Sequence, residues 1–295
     1  MNVLVIGAAG QLGRAIRNVS SKWSDRYFFA DLSETCGEDT ICLDVTDTDA
    51  VRRVVQENDI DIIVNCAAYT DVERAEDNPA QCELLNADAP RGLAEIMKEA
   101  DGLLFHISTD YVFDGSQIIP YTEDVEPSPL SVYGRTKLNG EKAVEASGCK
   151  YIIIRTSWLY SEYGRNFVKT MLRLFSERSQ INVVSDQKGT PTYALDLAEV
   201  ICSIIGNGQY HGKYGIYNYS NAGECSWYEF AEEISRIDGN DSCGISPCTT
   251  DDYPVKAARP LYSVLDKSKI VDTFGVEVPY WKDSLQKCLA NLKTF

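Results

Sequence analysis

Short apolar runs rich in β-branched residues recur through the first half of the chain, and stretches with apolar residues three and four apart separate them. Val3–Ile6, Tyr27–Ala30, Thr40–Leu43, Ile60–Asn65, Leu103–Ser108 and Tyr151–Arg155 predict strands, the second ending at Asp31 and the third at Asp44. Gln11–Ser20 and Pro79–Lys98 predict helices. Thr46 predicts the N-cap of a helix running to Glu57. Ser128 and Pro129 predict the cap and first position of a helix reaching about Ser147. Strands that are apolar throughout, rather than alternating, are covered on both faces. Their alternation with helices predicts βαβ units, hence an α/β, doubly wound parallel sheet of Rossmann type.

Beyond Arg155 the rhythm loosens. Phe167–Ser176, Tyr193–Gly206, Ser226–Arg236 and Lys282–Leu292 predict helices, and Ile216–Tyr219 predicts a strand. Gly, Pro and Tyr collect in the loops between them. No Gly/Ser or Pro linker, internal repeat or low-complexity tract interrupts the chain.

The 295 residues are 44% hydrophobic and 24% charged, which is ordinary for a globular protein able to bury a sizeable core. The net charge of −16 argues against nucleic acid or an anionic membrane as a partner. A phosphorylated small molecule remains compatible, since helix N-termini and a few local cations bind phosphate on an acidic protein. No apolar run approaches the ~20 residues of a membrane span. Met1–Gly7 carries no basic stretch before its apolar residues and predicts a buried first strand rather than a signal peptide. The ten cysteines are scattered without a Cys-x-x-Cys, which predicts reduced thiols, Cys66 and Cys202 among them as core filler, and a cytoplasmic protein. With only His106 and His211, a histidine-based triad or metal site is poorly supplied. His106, after Leu103, Leu104 and Phe105 in a strand, predicts a core histidine.

Three strings carry candidate chemistry. Gly7-Ala8-Ala9-Gly10-Gln11-Leu12-Gly13 follows the first strand and opens the first helix. Glycines there let the backbone turn tightly and approach a pyrophosphate seated on the helix N-terminus. Arg14 and Arg17 face either those phosphates or solvent. Asp31 ends the second strand about 20 positions after Gly10, where a carboxylate accepts hydrogen bonds from ribose hydroxyls. Tyr133 and Lys137 stand four apart, on one helical face, where an ammonium lowers the pKa of a phenol that donates a proton. Ser108-Thr109-Asp110 closes the fifth strand, at the sheet edge where open α/β folds bind ligands.

With these strings in order, the chain resembles the extended short-chain dehydrogenase/reductases that act on nucleotide sugars. Further strings extend the likeness to about residue 260. They are Val64–Thr70, Ser108–Gly115, Tyr133–Lys137 with Gly140-Glu141-Lys142, Arg155–Tyr160, Asn166–Met171, Asp186–Thr192 and Ala258-Arg259-Pro260. Ser-Thr-Asp-Tyr-Val-Phe and Arg-Thr-Ser-Trp resemble the branch that reduces 4-ketosugars. The resemblance implies reduction of the 4-keto group of dTDP-4-dehydro-β-L-rhamnose to dTDP-β-L-rhamnose with NADPH or NADH, feeding cell-surface polysaccharide. It implies that Tyr133, Lys137 and Thr109 are catalytic. Gly7, Gly10, Gln11, Leu12 and Gly13 would meet the pyrophosphate, and Asp31 the ribose. Asp44 and Val45 would lie along the adenine, with Cys66, Ala67 and Ala68 on the nicotinamide side. Tyr133 and Lys137 would also hold the nicotinamide ribose.

Thr109, Asp110, Trp158 and Arg259 would face the substrate. Trp158 reads equally as core or as a sugar-stacking platform, and Arg259 as a phosphate grip or the partner of a surface acid. The implied domains are residues 1–160 for the dinucleotide and 161–295 mainly for the substrate, with segments around 193–219 returning to the first. In some relatives carboxylates bridge a dimer through Mg²⁺. The matching positions here are Ala15 and Leu195, so no metal and a monomer or weak homodimer are expected. Two rivals share the fold: another nucleotide-sugar reductase or epimerase, and a non-catalytic subunit related to the partner of methionine adenosyltransferase.

Overall fold

The computed structural model describes residues 1–32 and 39–294. Its centre is a seven-stranded parallel sheet built from β1 (Asn2–Ile6), β2 (Arg26–Asp31), β3 (Thr40–Cys42), β4 (Ile62–Asn65), β5 (Leu103–Thr109), β6 (Lys150–Thr156) and the strand Gly215–Asn218. Across the sheet the order is β3-β2-β1-β4-β5-β6, with Gly215–Asn218 outside β6. Neighbouring strands are parallel throughout. Strand order reverses between β1 and β4, and such a switch point opens a crevice beyond the carboxyl ends of the strands.

Successive residues of β1 serve opposite faces of the sheet. Val3 and Val5 pack with Ile16 of α1 (Gln11–Ser20) and Ile201 of the helix Ala194–Gly206. Leu4 and Ile6 pack with Val51 and Val55 of α2 (Thr48–Glu57) and Leu93 of the helix Ala89–Glu99. Two apolar layers, each closed by helices, are the physical reason these strands carry no polar face. A third core gathers Phe175, Phe230 and Trp281 from three later helices, Phe167–Glu177, Trp227–Asp238 and Trp281–Leu292.

Three local expectations are corrected. Asp47, not Thr46, caps α2, its carboxylate accepting from the Ala50 N–H at 2.9 Å. Thr46 is instead tied to Asp44, to which both its N–H and its hydroxyl donate. Ser131, not Ser128, caps the helix Val132–Ser147, accepting from the Gly134 N–H. Ser128 lies three residues before that cap, its own N–H donating to the Val112 carbonyl. The helix expected over Pro79–Lys98 is three pieces: Pro79–Glu83, a π-helical turn Leu84–Asp88, and Ala89–Glu99. Asn86 explains the interruption, since its side chain bonds both the N–H and the carbonyl of Tyr69 and the Thr136 hydroxyl. The strands Gln180–Val184 and Gly244–Cys248, paired in parallel, were not among the expected elements. Nine cysteines are free thiols; Cys36 lies outside the described residues.

Candidate active site

The chain leaves β1 at Gly7 with φ +82°, a backbone that L side chains rarely adopt, and any Cβ there would sit 2.6 Å from the Ala67 nitrogen. That approach fits the turn against the end of β4. Gly10 then caps α1 without a side-chain hydrogen bond, so no side chain competes for the amides of the first turn. Gly7, Gly10, Gln11 and Leu12 line a cleft of about 760 Å³. Gly13 does not line it. A Cβ at Gly13 would collide with the Gly7 carbonyl, so this third glycine lets the helix pack under the turn. Asp31 borders the same cleft, and its carboxylate accepts from the Ala9 N–H at 2.9 Å, fixing the turn as well as presenting an acceptor. Asp44, Val45, Cys66, Ala67 and Ala68 continue the wall. A side-chain-free helix N-terminus beside a carboxylate fits a dinucleotide's pyrophosphate and ribose.

Tyr133, Lys137, Thr109 and Asp110 stand at the other end of that cleft. Tyr133 and Lys137 share one face of the helix Val132–Ser147, while β5 delivers Thr109. Thr109 stands beside the Tyr133 phenol, and its hydroxyl donates to Asp110 Oδ1 at 3.1 Å. Burial raises the Asp110 carboxyl to about 7, against the opposing hydrogen bonds of Ser263 and Thr109. Burial lowers Lys137 to about 8, opposed by Glu141. One expectation is overturned here. Lys137 does not draw the phenol pKa down: its Nζ donates to the Ile107 carbonyl at 2.5 Å, and burial pushes Tyr133 above its ordinary value. The phenol is therefore a firmly protonated donor.

The remaining candidates divide. Trp158 lines the cleft at φ +47°, stacked on Trp227 with ring centroids 3.5 Å apart. The backbone of Gly189 lies against the indole so closely that a Cβ would sit 2.6 Å from it. Protein partners thus hold this ring in a conformation few tryptophans adopt. Arg259 lies outside the cleft lining: it donates to Glu73 at 2.9 Å, near Tyr111. Arg14 donates to the Ala9 carbonyl, and Arg17 lies over Phe29 and donates to Thr40, so neither borders the cleft. His106 is fully buried, paired with Asn65, and driven well below its ordinary pKa by burial. Sequence reasoning missed Tyr111, Leu85, Arg165 and Trp227, all in the lining. Tyr111 belongs to the Ser108–Gly115 string, and its ring meets Tyr133 edge-on at 5.7 Å. Trp227 carries no local signal, because it arrives from a helix 69 residues after Trp158.

Ala15 and Leu195 sit in the apolar core where α1 packs on the helix Ala194–Gly206. Among the described residues no cluster of three or more His, Cys, Asp or Glu could hold a metal ion. No helix among them is long and apolar enough to cross a membrane.

The strand order, the glycine turn at its switch point and the Tyr–Lys pair beside β5 define a dinucleotide-binding α/β protein of the short-chain dehydrogenase/reductase kind. The chain belongs to the family described as RmlD substrate binding domain, whose model matches residues 1–294. It is 37% identical over 303 residues to the dTDP-4-dehydrorhamnose reductase of Aggregatibacter actinomycetemcomitans, covering 99% of this chain and 98% of that one. It is 39% identical over 295 residues to a probable dTDP-4,6-dihydroxy-2-methyloxan-3-one 4-ketoreductase of Streptomyces antibioticus, covering 99% and 96%. The crystal structure of a dTDP-4-dehydrorhamnose reductase from Clostridium acetobutylicum superimposes with a TM-score of 0.91 at 38% identity, covering 99% of this chain and all of that one. A Bacillus anthracis dTDP-4-dehydrorhamnose reductase in complex with NADP gives 0.87 at 37% identity, covering 98% and 99%. The family likeness read from the sequence is borne out.

Proposed function

We propose that this protein reduces the 4-keto group of a dTDP-linked 4-keto-6-deoxysugar, dTDP-4-dehydro-β-L-rhamnose, to dTDP-β-L-rhamnose, using NADPH or NADH. The observation that carries the reading is the convergence of Tyr133, Thr109 and Lys137 in one cleft with the glycine turn and Asp31. A bound dihydronicotinamide would supply the hydride. Tyr133 delivers its phenolic proton to the oxygen on sugar C4, which would otherwise become an alkoxide. Thr109 stands beside that phenol and turns its hydroxyl from Asp110 to donate to the same oxygen when the sugar binds. Lys137, held by the Ile107 carbonyl, carries the positive charge on the ribose side. Asp31 would accept from the adenosine ribose, and Gly10, Gln11 and Leu12 would meet the pyrophosphate.

Residues 161–295 bring Gly164, Arg165 and Trp227 to the sugar side, where Trp158 also borders it. Arg259 reaches the substrate by exchanging Glu73 for a phosphate oxygen. The enzyme works in the cytoplasm, as a monomer or weak homodimer. A second reading keeps the chemistry and changes the sugar, in line with the Streptomyces antibioticus relative, whose name specifies a different 4-ketoreductase substrate.

Incubating the protein with NADPH and dTDP-4-dehydro-β-L-rhamnose should consume the cofactor and yield dTDP-β-L-rhamnose by NMR. Consumption only with another 4-ketosugar would favour the second reading. No consumption with any of them would sink both and return attention to a non-catalytic role.

A further inference from the structure

Behind the cleft wall the chain buries an ion pair that the chemistry above does not use. Glu141 is 1% exposed and Arg155 2%. Arg155 grips the carboxylate through Nε and Nη2, at 3.0 and 2.7 Å, and the Ser108 hydroxyl donates to the same group. Three elements meet there: the helix Val132–Ser147 brings Glu141, β6 brings Arg155, and β5 brings Ser108, which is in register with Arg155. Taking two charges out of water costs several kcal/mol per ion, and an apolar pair of similar volume is often no less stable. Stability alone is a weak reason for such a pair.

Its neighbourhood supplies another reason. Glu141 follows Lys137 by four residues on one helix, so the two side chains share a face. The Lys137 side chain is buried, with a backbone carbonyl as its hydrogen-bond acceptor and, among the described residues, no carboxylate at ion-pair distance. The groups facing that ammonium are Glu141 on its own helix, Cys82 from Pro79–Glu83, Cys66 just after β4 and His106 on β5. Burial raises both thiols and lowers the imidazole, so these three are neutral near pH 7. Glu141 is the one carboxylate in the set. It opposes the burial that weakens Lys137's hold on its proton.

We propose that Glu141, fixed by Arg155 and Ser108, is a positioning residue whose charge keeps the Lys137 ammonium protonated inside the cleft wall. The inference rests on the reading that Lys137 belongs to the cofactor site, and its test separates the two. NMR of the ligand-free protein, labelled at lysine Cε, follows the Lys137 titration directly, with Lys137→Met identifying the signal. Glu141→Gln should move that titration down by about one pH unit or more, the scale on which a nearby opposite charge acts. Glu141→Asp, which keeps the charge, should retain most of it.

Should Glu141→Gln fail to fold, the double variant Glu141→Gln/Arg155→Met leaves no orphaned charge and, because it removes a cation together with the anion, should show a smaller fall in the same direction. An unchanged Lys137 titration in whichever variant folds overturns the proposal, because a merely structural pair would lower Tm and leave the titration in place. The alkaline limb of NADPH binding should move down with the titration. If the titration falls while NADPH binding keeps its pH profile, the proposal for Glu141 stands, and the assignment of Lys137 to the cofactor fails instead.

Discussion

Replacing Tyr133 by Phe isolates the proton-transfer step. The ring keeps its edge-on contact with Tyr111 at 5.7 Å, an arrangement worth about 0.5–1.5 kcal/mol beyond its buried area. The Thr109 hydroxyl keeps Asp110 as its acceptor, so no polar group is orphaned and stability should change little. What disappears is the proton for the developing alkoxide. General acid catalysis contributes ~10²–10⁴-fold, or about 2.7–5.4 kcal/mol at 1.36 kcal/mol per tenfold. In the wild type, burial keeps the phenol protonated through neutral pH, so the Tyr133 hydroxyl should add no limb to the rate profile there. The assay is steady-state NADPH consumption with the 4-ketosugar, alongside NADPH affinity from nucleotide fluorescence. Turnover should fall at least ~10²-fold, while affinity holds, since the glycine turn and Asp31 are untouched. Near-normal turnover in Tyr133→Phe would refute the mechanism. An equal loss of NADPH affinity would show that Tyr133 acts through binding instead.

Wild type should turn over with both NADPH and NADH, and Asp31→Asn should shift preference toward NADPH by removing charge beside a 2′-phosphate while its amide oxygen still accepts from Ala9; kcat/KM ratios for the two cofactors check this. Asp110, raised to about 7, holds its proton when folded but loses it near pH 4 when unfolded, so it lowers stability progressively as pH rises from about 4 to 7. Asp110→Asn should flatten that dependence, by at most about 4 kcal/mol; denaturant midpoints at both ends measure it, and an unchanged slope contradicts the assignment. Gly13→Ala drives a Cβ into the Gly7 carbonyl and should weaken NADPH binding at least about tenfold, the effect of a ~1.4 kcal/mol distortion, as titration calorimetry would show. EDTA should leave activity and sedimentation unchanged, because Ala15 and Leu195 are packed in an apolar helix interface; loss of either on chelation would contradict this.

The sheet, its glycine turn and the Tyr133–Lys137 face were legible along the chain because each depends on short-range rules. A continuous apolar run signals a strand covered on both sides, and four residues bring a helix back to the same face. Asp31 was equally legible, since βα geometry fixes where the second strand ends. The cap was misplaced at Thr46 because that hydroxyl is bound to Asp44, and at Ser128 because Ser131, three residues on, is the one that receives the Gly134 N–H. Only the fold decided that Trp227 backs Trp158, that Glu73 holds Arg259, and that Gly13 serves packing rather than contact. The same is true of the electrostatics. Spacing placed a phenol and an ammonium side by side, but burial set the protonation of both, and burial is a property of everything packed around a residue rather than of its neighbours in sequence.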